Sequence, residues 1–130
     1  MSHRQVKASR AVVDEGLAPL LELVWAAGID TQFSCQGNPS GNASIVFPDV
    51  DSALRFMSIT MERSHWYNRL TMKLMEPIES VTYGGVGAPR ACVEWPVTNM
   101  RQDVTVELTK VWACEPLSSD YMTRKRKVTP

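Results

Sequence analysis

Residues 28–47, GIDTQFSCQGNPSGNASIVF, constrain the chain more than any other stretch. Residues 29–34 alternate, with Ile29, Thr31 and Phe33 on one side, and residues 43–47 form a second short run of strand formers. Between them Gly37, Pro39, Gly41 and the neighbouring Asn and Ser positions are too rich in turn residues to continue either strand. The pattern predicts a hairpin with a long polar connection, and loops held on rigid scaffolds are where binding and catalysis collect.

Both flanks read as helices. Before the hairpin, Val13, Leu17, Leu20, Leu21 and Val24 recur at helical spacing, and Asp14 and Glu15 suit the positive end of a helix dipole. Pro19 lacks a backbone donor, so the helix starts late or bends there. Gly28 is a suitable C-terminal stop and leaves Trp25 close to the next strand. After the hairpin, Asp49 or Asp51 caps a helix whose buried stripe is expected to be Val50, Ala53, Leu54, Met57 and Met61, with Arg55, Glu62 and Arg63 facing water.

The remainder is less regular. In residues 64–75, Trp66, Leu70 and Leu74 sit four apart and favour a helix stopped by Pro77; a strand over 70–74, LTMKL, is the alternative. Residues 78–83 and 91–95 read as strands around a turn marked by Gly84, Gly85, Gly87 and Pro89. Asn99 and Gln102 match a capping box ahead of Met100, Val104, Leu108, Val111 and Trp112. Val104, Val106 and Leu108 also suit a strand, but apolar positions continuing to 112 favour a helix. The sum is an α+β class: a two-layer domain, an antiparallel sheet of two hairpins covered by helices. Residues 1–12 read as a loose arm with His3 solvated, and residues 118–130 as a basic flexible tail.

Composition bounds the partners. At 130 residues the chain fits one domain with a sizeable core. Lys+Arg and Asp+Glu are both 14, so no global charge attracts nucleic acid or acidic lipid. A nucleic-acid contact needs a local patch, and Arg124, Lys125, Arg126 and Lys127 supply the one candidate. No apolar run approaches the ~18 residues of a membrane helix, and the N-terminus lacks the apolar core of a secretory signal. The expected location is the cytoplasm, without a membrane. Cys35, Cys92 and Cys114 form no CxxC or comparable spacing, so three free thiols and no metal or cofactor are expected. Seven Met and four Trp suit either a core or a homodimer surface.

Residues 14–47 resemble the wybutosine-synthesising tRNA methyltransferase-like family, which has a Pro-Leu-Leu helix, a strand, a Thr-Ser-Ser-Cys-Ser-Gly loop and a strand ending in an aromatic residue. The counterparts here are Pro19-Leu20-Leu21, then Thr31, Ser34, Cys35 and Gly37, then Ser44-Ile45-Val46-Phe47. Phe33 and Gln36 replace small hydroxyl residues, Asn38 replaces a basic one, and an Asn-Pro-Ser-Gly-Asn insert lengthens the loop. The resemblance implies S-adenosylmethionine-dependent RNA modification. The Val-Asp-Glu-Gly, Gly-Ile-Asp-Thr and Ser-Cys-Gln-Gly segments are similar to those of small proteins encoded by actinobacterial phages. That likeness implies a phage origin and the host cytoplasm, but no activity.

The loop offers neutral donors. With Gly37 at positive φ, consecutive N–H groups would converge on an anion, and Ser34, Gln36 and Asn38 would add hydroxyl and amide donors. The expected ligand-binding residues are Ser34, Cys35, Gln36, Gly37 and Asn38, with Thr31, Phe33 and Trp25 alongside. No catalytic residue is expected. Cys35 as a nucleophile would need a base or a positive field, and His65, the histidine inside the presumed fold, is the candidate base. The favoured function is a non-enzymatic module holding a small polar or nucleotide-like ligand, or a host protein. The alternatives are an S-adenosylmethionine-dependent RNA-modifying enzyme, or a thiol hydrolase, and a protein whose role is interaction alone.

Overall fold

The computed structural model describes residues 3–63, 68–76, 89–98, 101 and 103–114. The chain is α+β. A two-stranded antiparallel sheet comes first, β1 (Gln5–Lys7) and β2 (Val12–Asp14), followed by α1 (Ala18–Ala26). Strands β3 (Phe33–Cys35) and β4 (Asn42–Phe47), helix α2 (Val50–Arg63), strands β5 (Thr71–Met75) and β6 (Arg90–Pro96), and helix α3 (Asp103–Ala113) complete it. The four later strands form one antiparallel sheet in the order β3-β4-β6-β5.

The core follows from strand alternation. Register pairs Ala43 with Trp95, Ile45 with Val93 and Phe47 with Ala91, and all six side chains are buried. Paired residues share a face, so these six make one apolar surface for the helices to cover. Helix α1 buries Leu20, Leu21, Val24 and Trp25 in the same core. Phe56 of α2 sits among three rings, with centroids 5.4 Å from Phe47, 6.3 Å from Trp95 and 5.2 Å from Trp112. The buried indoles are satisfied: Trp95 Nε1 donates to Thr105 Oγ1 at 2.8 Å and Trp112 Nε1 to Thr60 Oγ1 at 3.0 Å.

Helix ends follow their local chemistry. Pro19 stands in the first turn, where its missing N–H is no loss, so α1 begins late rather than bending. Gly28, at φ 81°, ends it: its N–H donates to the Trp25 carbonyl and the Ile29 N–H to the Val24 carbonyl, a Schellman pair. Asp49 caps α2 by accepting the Ser52 N–H at 2.8 Å. Arg63 of α2 donates to the Val111 and Cys114 carbonyls at the end of α3.

Five expectations change. The first strand of the central hairpin covers only residues 33–35, and Ile29 is buried while Phe33 is exposed, so the expected alternation over 29–34 does not hold. Residues 1–12 are not a loose arm, because residues 5–7 and 12–14 pair as a hairpin; strands of three residues leave no readable periodicity. Asp14 is therefore a buried strand residue, not a helix-dipole acid. The buried face of α2 is Ala53, Phe56 and Thr60, with Val50 and Met57 partly buried, while Leu54 and Met61 are exposed; Phe56 filling the aromatic cluster sets the helix rotation. Residues 71–75 are a strand, the alternative reading, because pairing with β6 outweighs the helical spacing of Leu70 and Leu74. The expected strand at 78–83, its turn at 84–87, the capping pair Asn99 and Gln102, and the tail at 118–130 lie outside the described residues.

Candidate functional site

Strand β3 is the sheet edge next to the N-terminal hairpin. An open edge presents unpaired backbone groups. Here Asp14, the last residue of β2, takes up part of that demand: its Oδ2 accepts the Gln36 N–H at 2.9 Å. Gln36 Oε1 in turn accepts the Gly16 N–H at 2.7 Å. The Gln5 amide reaches Asp14 Oδ1 at 3.4 Å. Hairpin and edge strand are thus joined through polar side chains rather than by a ladder.

His3 is part of this join, not a solvated tail residue. Its Nε2 lies 2.7 Å from the Gly37 carbonyl oxygen. A carbonyl oxygen only accepts, so Nε2 carries the proton and the lone pair of the neutral ring is on Nδ1. A ring nitrogen of His3, a carboxylate oxygen of Asp14 and Cys35 Sγ all lie within 4.8 Å of one another. Asp14 is 6% exposed, and His3 and Cys35 are half-buried.

The loop beyond β3 is closed by its own hydrogen bonds. Asn38 Oδ1 accepts the N–H groups of Ser40 and Asn42 at 2.9 and 3.0 Å, and the Asn38 N–H donates to the Asn42 carbonyl at 2.8 Å. Positive φ occurs at Gly41, 81°, and not at Gly37. The expected anion nest at Gly37 is therefore absent: the Gln36 and Asn38 amides are already spent on Asp14 and Asn42. An Asn side chain that bonds the backbone two and four residues on provides the turn instead.

A cleft of about 310 Å³ opens between the hairpin and β3. Arg10, Val12, Asp14 and Gln5 line it on the hairpin side, and Trp25, Thr31, Gln32, Phe33 and Ser34 on the other. Phe33 is 60% exposed and Val12 62%, so the apolar surface of the cleft lies at its mouth. Trp25 is nearly buried, its Nε1 donating to Thr31 Oγ1 at 2.9 Å, and the Arg10 guanidinium lies 6.0 Å from its ring. Arg10 also pairs with Asp30 at 2.7 Å. A second concavity, about 200 Å³, lies between the ends of α1 and α3 beside Arg63 and Cys114.

The eight residues expected at the site therefore separate. Trp25, Thr31, Phe33 and Ser34 line the cleft. Cys35 joins His3 and Asp14, Gln36 and Gly37 hold the hairpin, and Asn38 closes the turn. Sequence reasoning missed His3, Arg10, Val12 and Asp14. For the hairpin, the single apolar run at residues 11–13 was the available signal, too short to show a period; for the meeting of residues 3, 14 and 35 there was none. His65, Trp66 and residues 124–127 lie outside the described residues.

The outer face of the sheet carries charge. Rows across the register run Phe33, Val46, Cys92, Lys73 and Cys35, Ser44, Glu94, Thr71. Lys73 Nζ lies 3.0 Å from Glu94 Oε1, and that hydrogen bond raises the Lys73 pKa above the usual lysine value. Burial pushes the Cys92 thiol up, and the Glu94 charge adds to it. All three cysteines are free thiols. Among the described residues no helix is long and apolar enough to cross a membrane. Comparison with protein-family models, curated proteins and solved structures gives no match.

Proposed function

We propose that the chain is a small, non-enzymatic binding module, of phage origin, that takes a small polar ligand carrying a planar ring in the cleft between β2 and β3. The observation that carries this reading is the cleft itself, about 310 Å³, with the exposed Phe33 ring at its mouth and Arg10, which also pairs with Asp30, in its lining. That volume is at the low end of small-molecule sites. A ring stacks on Phe33, an anionic or carbonyl group meets Arg10, and Gln5 and Gln32 supply amide groups to its polar edge. A nucleotide has this combination of parts. Because the loop at 36–42 is closed by its own hydrogen bonds, this reading puts the ligand in the cleft beside it rather than in the loop.

The test is a thermal-shift screen of nucleotides, cyclic nucleotides and S-adenosylmethionine on the full chain. A ligand at 100 times its dissociation constant stabilises by about 2.7 kcal/mol, a shift well above noise. Phe33→Ala and Arg10→Gln are expected to remove the shift while leaving the unliganded melting temperature within about 2 °C, since both side chains are substantially exposed. A shift that persists in both variants rejects the cleft. A second reading, docking of a partner protein, is favoured by the adjacent exposure of Val12 and Phe33. An empty screen, with partner capture lost in Phe33→Ala, selects it.

A further inference from the structure

We infer that His3, Asp14 and Cys35 form a binding site for one divalent transition-metal ion, zinc(II) being the natural occupant. The three ligand atoms lie within 4.8 Å of one another. In a tetrahedral zinc site, with bonds of ~2.0–2.3 Å, they would stand roughly 3.3–3.7 Å apart, so small side-chain rotations close the set. The residues come from three places in the sequence, and the join between hairpin and edge strand is what assembles them.

Burial argues for a cation here. Asp14 is 6% exposed, and among the described residues no Lys or Arg pairs with it; it accepts from the Gln36 N–H and the Gln5 amide, both neutral. Carboxylates are rarely this buried without a positive partner. The His3 ring is anchored by the backbone. Its Nε2–H is held by the Gly37 carbonyl, the backbone contact that fixes the tautomer of metal-binding histidines and leaves Nδ1 as the donor atom. Thiolate, imidazole and carboxylate together suit zinc(II) better than calcium or magnesium, which take oxygen ligands. Three protein ligands leave a fourth position for water or an added ligand. Binding would displace the Cys35 proton to solvent.

The same three residue types also compose a thiol nucleophile with its base and orienting acid. The hydrogen bond that would build the relay goes elsewhere: the His3 Nε2–H is given to the Gly37 carbonyl and not to Asp14. No relay from carboxylate to imidazole to thiol is therefore in place. The metal site needs no occupant in the cleft, although Asp14 lines both, so its failure would leave the ligand reading standing.

The test is cobalt(II) titration of the reduced, metal-free full chain. The expected result is a thiolate-to-cobalt charge-transfer band with the visible bands of a four-coordinate ion, saturating at one ion per chain and displaced by zinc. Cys35→Ser abolishes the charge-transfer band, whereas Cys92→Ser and Cys114→Ser retain it. His3→Ala, a change in a half-buried residue ahead of β1, weakens zinc binding beyond the ~10–100-fold typical of losing an outer partner. Zinc also protects Cys35 from iodoacetamide while Cys114 continues to react. Absence of the band, its survival in Cys35→Ser, or unchanged affinity in His3→Ala overturns the inference. Rapid alkylation of Cys35 unaffected by zinc overturns it too and marks a nucleophile.

Discussion

Replacing Thr60 by valine tests how the helical layer is held. Thr60 is fully buried in α2, and its hydroxyl does two things. It donates to the Phe56 carbonyl at 2.9 Å and accepts the Trp112 indole N–H at 3.0 Å. Valine has nearly the same shape, so no cavity opens. What is lost is the acceptor, leaving a buried indole N–H without a partner, at a cost of about 1–3 kcal/mol. Urea unfolding is the assay. With an m-value of roughly 2 kcal/mol per molar, a loss of about 2 kcal/mol lowers the midpoint by about 1 M at unchanged slope. The control is a double-mutant cycle with Trp112→Phe, which removes the N–H itself. In that background Thr60→Val should cost less than about 0.5 kcal/mol, giving a coupling of about 1–2 kcal/mol. Equal costs in the two backgrounds would refute the hydrogen-bond account and leave only packing.

Three further outcomes are expected. Gly41→Ala should destabilise by about 1–2 kcal/mol in urea titration, because φ is 81° there while the nearest atom to an added Cβ, the Val97 carbonyl oxygen, is a comfortable 3.9 Å away; the cost is backbone strain, not a clash. Asp49→Ala should cost about 1 kcal/mol through loss of the α2 cap, and Asp49→Asn much less. Cys92 should alkylate far more slowly than Cys114 near pH 8.5, since burial raises its pKa and Cys114 is exposed. The sign for stability follows. The folded chain keeps the Cys92 proton above the unfolded thiol pKa of ~8.5, so its contribution is complete below that pH and is lost as pH rises toward the folded value; Cys92→Ala should flatten that alkaline decline.

The parts legible in the sequence are those with a long period or a strong terminator. Gly28 ended α1, Asp49 capped α2, and residues 43–47 lie within β4. Pro19 allowed two outcomes, and the first-turn position decided between them. Short pairings were not legible. Strands of three residues such as β1 and β2 show no alternation that distinguishes them from a loose arm. In residues 71–75, TMKLM, the tertiary ladder with β6 outweighs the local spacing. The loop at 34–38 was recognisable as special, but its direction of bonding was not. The Asn38 side chain turns onto backbone N–H groups two and four residues on, and the Gln36 side chain onto the Gly16 N–H 20 residues away, a partner that only the folded chain brings near. The meeting of His3, Asp14 and Cys35 belongs to the same level of tertiary assembly.

The most direct measurement of the central claim is a map of backbone amide shifts as the best ligand from the screen is titrated into the full chain. Binding in the cleft predicts shifts concentrated at residues 10–14 and 31–34, saturating together, with little change at residues 38–42 and none of it retained in Phe33→Ala. Shifts centred on 36–42, or on the concavity between α1 and α3 at Ala27, Arg63 and Cys114, would contradict the account.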